Sequence, residues 1–271
     1  MPTDLLAVES DVELLPPVEP DIPQASEDQL KTVTSMLKES KRPIIFVGEE
    51  MQMMGGTSEL IQFAEKHGIP VVTTDGAKGT FPENHPLSLG QAIGKRIWGE
   101  NPLLEWLGNC DFGLVLGASL PYRSTAGVDL KMPQKFAHVL MDESIIDKNY
   151  KSDVAITGNS QAVLAQISDM LGDYVCDLDQ GYSKEITDVK TEILSTLEST
   201  WGNELRTWQA IRASLPEDTI FSLDPTVPAS RASRCLEINN PRTFMYPHGW
   251  LGLGFAFPAA LGAKVAKPET P

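Results

Sequence analysis

Short apolar segments alternate with amphipathic segments over residues 42–171, and this alternation restricts the fold more than any other feature of the sequence. The apolar segments are rich in β-branched residues, whereas the amphipathic segments repeat their apolar residues with a helical period. Strands that are apolar on both faces belong to parallel sheets covered by helices on either side. The pattern therefore predicts an α/β fold with a doubly wound, Rossmann-like parallel sheet. The predicted strands are residues 42–48, 69–74, 112–117, 135–142 and 153–158, and the predicted helices include 57–68 and 160–171.

Composition divides the chain into four parts. Residues 1–25 are acidic and rich in proline and contain no Lys or Arg, which predicts an extended linker. The doubly wound domain is predicted over residues 26–172, and the polar stretch 173–183 is predicted to be a second linker. Residues 184–271 begin with a long predicted helix and continue with a second strand–helix pattern. That pattern stops after about one and a half βα units, so we expect a truncated α/β segment that cannot bury both faces of its sheet.

The charge and the cysteines exclude several classes of protein. A net charge of −15 disfavours binding to nucleic acid or to an anionic membrane surface. No apolar run approaches the roughly 20 residues of a membrane span, and the first residues do not resemble a signal peptide. The three cysteines show no metal-ligand spacing, which predicts reduced structural thiols and no metal ligands. We expect a cytoplasmic protein.

Three segments follow one another in an order typical of a known family. The first is RPIIFVG with ELIQFAEKHGIPVVTTDGAKGTFPENHPLSLG, within residues 42–90. The second is CDFGLVLGASL with KFAHVLMDESIIDKNYKSDVAITGNSQAVLAQI, within 110–167, and the third is PRTFMYPHGWLGLGFAFPAALGAKVAKP at 241–268. Together they resemble the thiamine-diphosphate-dependent enzymes of the acetolactate synthase, benzoylformate decarboxylase and oxalyl-CoA decarboxylase type. The resemblance covers nearly all of the chain from about residue 40.

The resemblance implies a function and also an incomplete site. The family has a pyrimidine-binding, a central and a diphosphate-binding domain, and this chain resembles the central domain and the start of the third. The family's catalytic glutamate belongs to the first domain, and no GDG occurs in this sequence to begin the metal–diphosphate motif. We therefore expect part of a 2-oxo acid decarboxylase or carboligase that has no catalytic residue of its own and no turnover. In the intact enzyme the resemblance implies thiamine diphosphate, Mg²⁺ and a homo-oligomer, either a dimer or a tetramer.

The glycine-rich stretch HGWLGLGFAFPAALGA (248–263) carries the predicted cofactor contacts. Gly252 and Gly254 let the backbone approach a ligand, or else make a turn that starts a helix. By resemblance, Leu253 takes the position of the bulky aliphatic residue that props the cofactor into its bent shape. Thr226, in the turn after the predicted strand 218–224, takes the position of a diphosphate contact, although Pro228 removes one N–H donor.

A second candidate site lies in the predicted central domain, because some family members bind FAD or ADP there. Gly48, Gly117 and Asp142, which end three predicted strands, are the candidate nucleotide contacts. The sequence departs from the family at this place, with GEE instead of GGG at 48–50 and GAS instead of GAR at 117–119. Nucleotide binding is therefore a weaker expectation than a structural role in an oligomer.

Four further residues have two interpretations each. Lys78 could bind phosphate or could be a solvated loop lysine, and His85 is expected to anchor its loop. His67 is expected to be the cationic partner of a helix C-terminus. His248 could face a substrate or lie on a surface loop. Two alternative functions also stay open at this point, namely a standalone nucleotide-binding module and a non-catalytic assembly subunit.

Overall fold

A six-stranded parallel sheet organises the first part of the chain. A computed structural model describes residues 22–92, 101–121, 125, 130–249 and 251–271, with isolated positions among residues 4–17. The strands of this sheet are β1 (Pro43–Val47), β2 (Val71–Thr73), β3 (Ser88–Gln91), β4 (Phe112–Leu116), β5 (Lys135–Leu140) and β6 (Val154–Thr157). They lie in the order β3–β2–β1–β4–β5–β6. This order reverses between β1 and β4, as in doubly wound folds that bind ligands at the carboxyl ends of those strands.

Helices cover both faces of the sheet. In chain order they are α1 (Glu27–Glu39), α2 (Glu49–Met53), α3 (Thr57–His67), α4 (Pro102–Leu107), α5 (Ser160–Leu171) and α6 (Tyr182–Ala213), followed by α7 (Val227–Cys235) and α8 (Ala256–Ala266). One core cluster packs α1, α3 and α5 against the sheet, and a second packs α4 and the start of α6 against the opposite face. The predicted doubly wound α/β fold is confirmed. No helix among the described residues has the length and apolar character to cross a membrane.

Local signals in the sequence explain the ends of the helices. Ser26 caps α1, because its hydroxyl accepts from the Gln29 N–H while the Gln29 side chain accepts from the Ser26 N–H. Gly68 ends α3 in the left-handed region, at φ 66°. A side chain at this φ would be strained, so glycine is the natural residue for the position.

The elements that the pattern did not predict are short and weakly apolar. Strand β3 consists of Ser88, Leu89, Gly90 and Gln91, and its pairing with β2 shifts register between Val71 and Thr73. Such a sequence has no β-branched residue, and only its place at the edge of the sheet makes it a strand. Helix α2 has five residues and was also not predicted.

The long helix α6 begins with one of the most buried residues of the chain. Tyr182 lies within the stretch predicted as the second linker, yet its side chain is fully buried against the sheet. Its hydroxyl donates to the carbonyl of Pro43 at 2.8 Å, and its ring stacks on Trp106 with centroids 5.7 Å apart. The start of α6 is therefore anchored in the core of the first α/β unit. The helix kinks at Trp201, which has non-helical φ and ψ of −136° and 39°.

The second α/β unit is small. Its strands β7 (Phe221–Ser222) and β8 (Phe244–Met245) pair in parallel, and β7 is shorter than the predicted strand 218–224. Helix α7 contributes Ala232 to the core of this unit, beside Phe221. In contrast, none of the eleven residues of α8 is buried by the described parts of the chain.

A buried ion pair lies where the two units meet. The Lys78 ammonium lies 2.5 Å from one carboxylate oxygen of Glu83, and the Lys78 residue is only 3% exposed. Glu83 also accepts from the Ile238 N–H at 2.8 Å and donates its own N–H to the Ile238 carbonyl. Burial raises the pKa of Glu83, although the Lys78 charge opposes that shift. Lys78 is thus a structural cation at the junction between the units, and its interpretation as a solvated loop lysine is wrong.

Gly79 allows the two backbones to come this close. Its φ is 82°, and a Cβ added there would lie 2.6 Å from the Ile238 side chain and 2.9 Å from the Asn240 carbonyl. Only glycine fits both the conformation and the space. The loop after β2 therefore carries both the charge and the close approach that hold the second unit.

Two histidines have structural roles. His85 accepts from the Leu87 N–H and pairs with Glu65 at 3.2 Å, so it anchors its loop as predicted. His67 is 1% exposed and packs on Phe63, and burial lowers its pKa. The expectation that His67 acts as a cation at the end of α3 is therefore wrong, since this environment favours the neutral ring.

Replacing Lys78 by methionine should destabilise the chain by about 3–5 kcal/mol, because Glu83 would keep a buried charge without its partner. Chemical denaturation measured by circular dichroism gives the free energy of unfolding. Lys184→Met is the matched control, since Lys184 and Asp188 form a pair on the exposed surface of α6. This control should change stability by no more than about 0.5 kcal/mol. Equal effects of the two variants would contradict the structural role of Lys78.

Stability should fall as the pH drops below about 6.5, in part because the unfolded chain protonates His67 more readily than the folded chain. The pKa of His67 is lowered in the folded state, so this loss continues until the pH reaches the folded pKa. His67→Leu should make the slope of unfolding free energy against pH shallower between pH 6.5 and 5 by up to about 1.4 kcal/mol per pH unit. Phe63→Leu, which removes core volume but keeps the imidazole, should retain the slope.

Candidate functional site

The three glycines Gly249, Gly252 and Gly254 of the glycine-rich stretch lie between β8 and α8, with one side open. Gly254 has a φ of 86°, and a Cβ added at Gly249, Gly252 or Gly254 would have no neighbour within 4 Å. The Leu253 side chain is 78% exposed. An aliphatic side chain exposed between two glycines, which leave space beside it, can contact a ligand without rearrangement. Trp250, in the same stretch, lies outside the described residues.

Asp224 fixes this stretch, a role that the sequence analysis did not predict. One carboxylate oxygen accepts from the Gly254 N–H at 3.1 Å and the other from the Ala256 N–H at 2.8 Å. The Ser222 hydroxyl adds a bond to the Ala256 carbonyl. The carboxylate lies at the N-terminus of α8, where a negative charge is favourable. The only signal in the sequence was an acidic residue soon after an apolar strand, which is too common to identify such a contact.

Thr226 lies two residues after Asp224, at the N-terminus of α7. It is the N-cap residue, but its side chain makes no capping hydrogen bond, and Pro228 occupies the first turn. The hydroxyl and the first-turn N–H groups of α7 are therefore available to an anionic ligand. Because Asp224 bonds to Gly254, the structure brings Thr226 and the glycine-rich stretch to the same end of strands β7 and β8.

His248 lies at the junction with the first unit. Its Nδ1 atom is 3.6 Å from a carboxylate oxygen of Asp75, and its ring packs 4.7 Å from the ring of Tyr246. Both partners of this pair are largely buried, with side chains 16% and 11% exposed. The interpretation of His248 as a surface-loop residue is wrong. It contacts the loop after β2, next to the buried Lys78–Glu83 pair.

The predicted nucleotide contacts Gly48 and Gly117 meet at the reversal of strand order between β1 and β4. A Cβ added at Gly48 would lie 2.1 Å from the Gly117 carbonyl oxygen, so the two glycines serve a close approach of backbones. The Glu50 carboxylate fills the adjoining crevice, where it accepts from the Met141 N–H at 2.9 Å and from the Ser160 N–H at 3.2 Å. Ser160 is the first residue of α5, so this carboxylate occupies the place that a phosphate would need. These residues do not fit FAD or ADP.

Asp142, the third candidate nucleotide contact, is exposed after β5. Its carboxylate accepts from both the N–H and the hydroxyl of Ser144, and these bonds lower its pKa. It is thus part of a local turn. Gly48 and Gly117 therefore pack against each other, and Asp142 belongs to a local turn. The three residues do not form an open pocket.

No three or more His, Cys, Asp or Glu side chains lie close enough to hold a metal ion in the parts of the chain that the structure describes. The three cysteines are free and buried. Burial raises the pKa of Cys110 to about 12 and that of Cys235 to about 11, so neither thiol is prepared to act as a nucleophile.

The relatives that this chain matches are longer proteins than the chain itself. A probable acetolactate synthase large subunit of Methanocaldococcus jannaschii is 29% identical, over 99% of this chain and 48% of its own length. The acetolactate synthase of Mycobacterium leprae is 29% identical over 89% of this chain and 39% of its own length. A sulfoacetaldehyde acetyltransferase of Castellaniella defragrans is 27% identical, over 89% and 45% respectively. The chain thus spans about half the length, or less, of these relatives.

Two family models match in the same order as the two structural units. Residues 228–271 match the C-terminal TPP binding domain of thiamine pyrophosphate enzymes. These residues of the chain include the glycine-rich stretch and α8. Residues 30–167 match the central domain of these enzymes, and they include the whole six-stranded sheet. Since this second match alone spans more than half of the chain, the chain belongs to the family of thiamine pyrophosphate enzymes.

Proposed function

We propose that this chain forms the central domain and the start of the diphosphate-binding domain of an acetolactate-synthase-like 2-oxo acid decarboxylase or carboligase. The observation that carries the proposal is the glycine-rich stretch held by Asp224 at the carboxyl ends of β7 and β8. The names of the relatives support the acetolactate synthase type. The open space beside Gly252 and Gly254 supports the proposal that a ligand approaches the backbone there.

The described residues would hold thiamine diphosphate in three ways. Leu253 would support the bend of the cofactor with its exposed aliphatic side chain, and Gly252 and Gly254 would allow close approach of the backbone. Thr226 would bind the diphosphate through its hydroxyl and the first turn of α7. Asp224 is a positioning residue, because it touches the backbone of the stretch. When bound, the cofactor supplies the nucleophilic carbon that adds to a 2-oxo acid and releases carbon dioxide.

The remaining features of the intact enzyme are also proposals. In the intact enzyme Mg²⁺ would neutralise the diphosphate charge, and its oxygen ligands would not come from a GDG motif in this sequence, because none is present. We expect a cytoplasmic homo-oligomer, a dimer or a tetramer. Three exposed side chains of α8, Phe257, Leu261 and Val265, are consistent with a further covering partner. We further propose that this chain alone has no turnover.

The two alternative functions differ in their support. A standalone FAD- or ADP-binding module is disfavoured, because the Glu50 carboxylate occupies the crevice at the ends of β4 and β5. A non-catalytic assembly subunit is compatible with the exposed face of α8. Sequencing the DNA on either side of this sequence distinguishes an assembly subunit from a part of an enzyme. A part of an enzyme requires a glutamate-bearing domain upstream and a GDG motif downstream.

In the complete reading frame that contains this chain, Leu253→Ala should lower kcat for carbon dioxide release from pyruvate by about 10- to 100-fold, because a cofactor without its support loses its reactive alignment. The assay uses added thiamine diphosphate and Mg²⁺. Val175→Ala is the control, because Val175 is also an exposed aliphatic residue but lies between α5 and α6. It should leave kcat within about twofold of the parent. Equal losses in the two variants would argue against the role of Leu253.

Calorimetric titration of the chain alone with thiamine diphosphate and Mg²⁺ should show no binding at micromolar affinity. The physical reason is that Thr226 and the glycine-rich stretch supply only a few of the contacts that an anionic ligand of this size needs. A dissociation constant of a few micromolar or less would show that the described residues form a sufficient site. That outcome would contradict the proposal of an incomplete site, but not membership of the family.

A further inference from the structure

The glycine-rich stretch is held at two points by carboxylates that come from different units. Asp224 of the second unit accepts from the N–H groups of Gly254 and Ala256 at 3.1 and 2.8 Å. At the start of the stretch, the Nδ1 atom of His248 lies 3.6 Å from a carboxylate oxygen of Asp75, which belongs to the first unit. The backbone between these two points therefore depends on both units.

That backbone contains a conformation that needs support. Leu251 has a φ of 49°, in the left-handed region that is unfavourable for a residue with a Cβ. Its N–H donates to the carbonyl of Pro247 at 2.9 Å, which closes a turn around the start of the stretch. A non-glycine residue stays in this region only where its surroundings hold it there. The contacts of His248 and Asp224 on either side supply such surroundings.

Asp75 is well placed to act as a fixed point. It lies directly after β2, in a turn that the Ala77 N–H closes by donating to the Thr74 carbonyl at 3.2 Å. One carboxylate oxygen of Asp75 accepts from the Gly76 N–H at 3.1 Å, and the other is the oxygen that faces His248. A carboxylate held by its own turn does not need to be ordered when it meets the second unit.

Glu49 affects the charge at this contact. It lies against Asp75, because a Cβ added at Gly76 would clash with the Glu49 carboxyl group. Burial raises the pKa of Glu49, and the charge of Asp75 adds to this rise. The shift favours neutral Glu49, so Asp75 is the carboxylate that attracts a protonated His248. Since the two side chains are only 11% and 16% exposed, water screens this attraction less than at the surface.

We propose that Asp75 is a positioning residue for the proposed reaction, because it holds, through His248, the conformation in which the stretch presents Leu253 to the cofactor. This inference rests on the proposed function, in which Leu253 supports the bend of the cofactor. Leu253 lies between Leu251 and Gly254, so its direction depends on the backbone held at both points. The first unit thus contributes to the reaction without touching the cofactor.

Hydrogen exchange without added cofactor tests the anchor, with the protein of the complete reading frame at about pH 6, where an ordinary histidine is mostly protonated. Asp75→Asn should accelerate exchange of the Leu251 and Gly254 N–H groups by about three- to tenfold, because the stretch opens locally more often. Mass spectrometry of short peptides measures the rates. The N–H groups of Phe221 and Leu223, which bond across to the β8 segment, should keep their rates. Equal acceleration there would indicate general destabilisation and would overturn the inference.

A double-variant cycle shows whether the two residues act as one contact. His248→Gln should accelerate exchange as much as Asp75→Asn, and the double variant should be no faster than either single variant. Asp142→Asn is the matched control, because Asp142 is an aspartate of the first unit whose carboxylate bonds only within a local turn to Ser144. It should leave exchange at the glycine-rich stretch unchanged. Unchanged exchange in Asp75→Asn, or effects that multiply in the double variant, would contradict the anchor.

The activity of the same protein shows whether Asp75 acts through Leu253. With added thiamine diphosphate and Mg²⁺, Asp75→Asn should lower kcat for carbon dioxide release from pyruvate by about three- to tenfold. In a Leu253→Ala background it should lower kcat by less than about twofold, because the side chain that it positions is gone. Full multiplication of the two losses would overturn the inference.

Failure of the proposed function is recognised separately, because Leu253→Ala alone would then leave kcat unchanged.

Discussion

The buried pair of Lys78 and Glu83 lies at the centre of the contact between the two α/β units, because Glu83 binds both Lys78 and the backbone of the second unit. A lysine so fully buried requires a counter-charge, and Glu83 supplies it while also bonding the backbone at Ile238, 155 residues away in the chain. This geometry leaves the second unit little freedom to slide, because the backbone bonds and the close approach at Gly79 fix its register.

The first unit has the strand order of a nucleotide-binding domain, but the Glu50 carboxylate of the chain itself lies where the phosphate of a nucleotide would bind. Glu50 accepts from the N–H groups of Met141 and Ser160 that would otherwise face a phosphate, so the crevice is satisfied from within. Asp224 makes a similar contact at the start of α8 in the second unit. In both places a carboxylate fixes a helix N-terminus, which makes these units rigid supports for residues nearby.

Sequence reasoning succeeded where the signal is local. The continuous apolar runs predicted β1 and β4, and the local signals of Ser26 and Gly68 explain the ends of two helices. It failed at β3, whose serine, glycine and glutamine become a strand only through the neighbouring strand. The burial of Lys78 and the contacts of Asp224 likewise depend on residues distant in the chain, which no local pattern contains. The places of Thr226, Leu253 and the glycines came from the family resemblance, and their roles stay predictions.

The bare face of α8 has a consequence for how the chain behaves in solution. The exposed side chains of Phe257, Leu261 and Val265 form an apolar surface that attracts the same surface on another molecule. The net charge of −15 repels neighbouring molecules of the same chain. Salt shortens the range of that repulsion but hardly weakens the attraction between apolar surfaces. The colloidal stability of this acidic chain should therefore decrease as ionic strength rises, unlike that of a protein whose association depends on opposite charges.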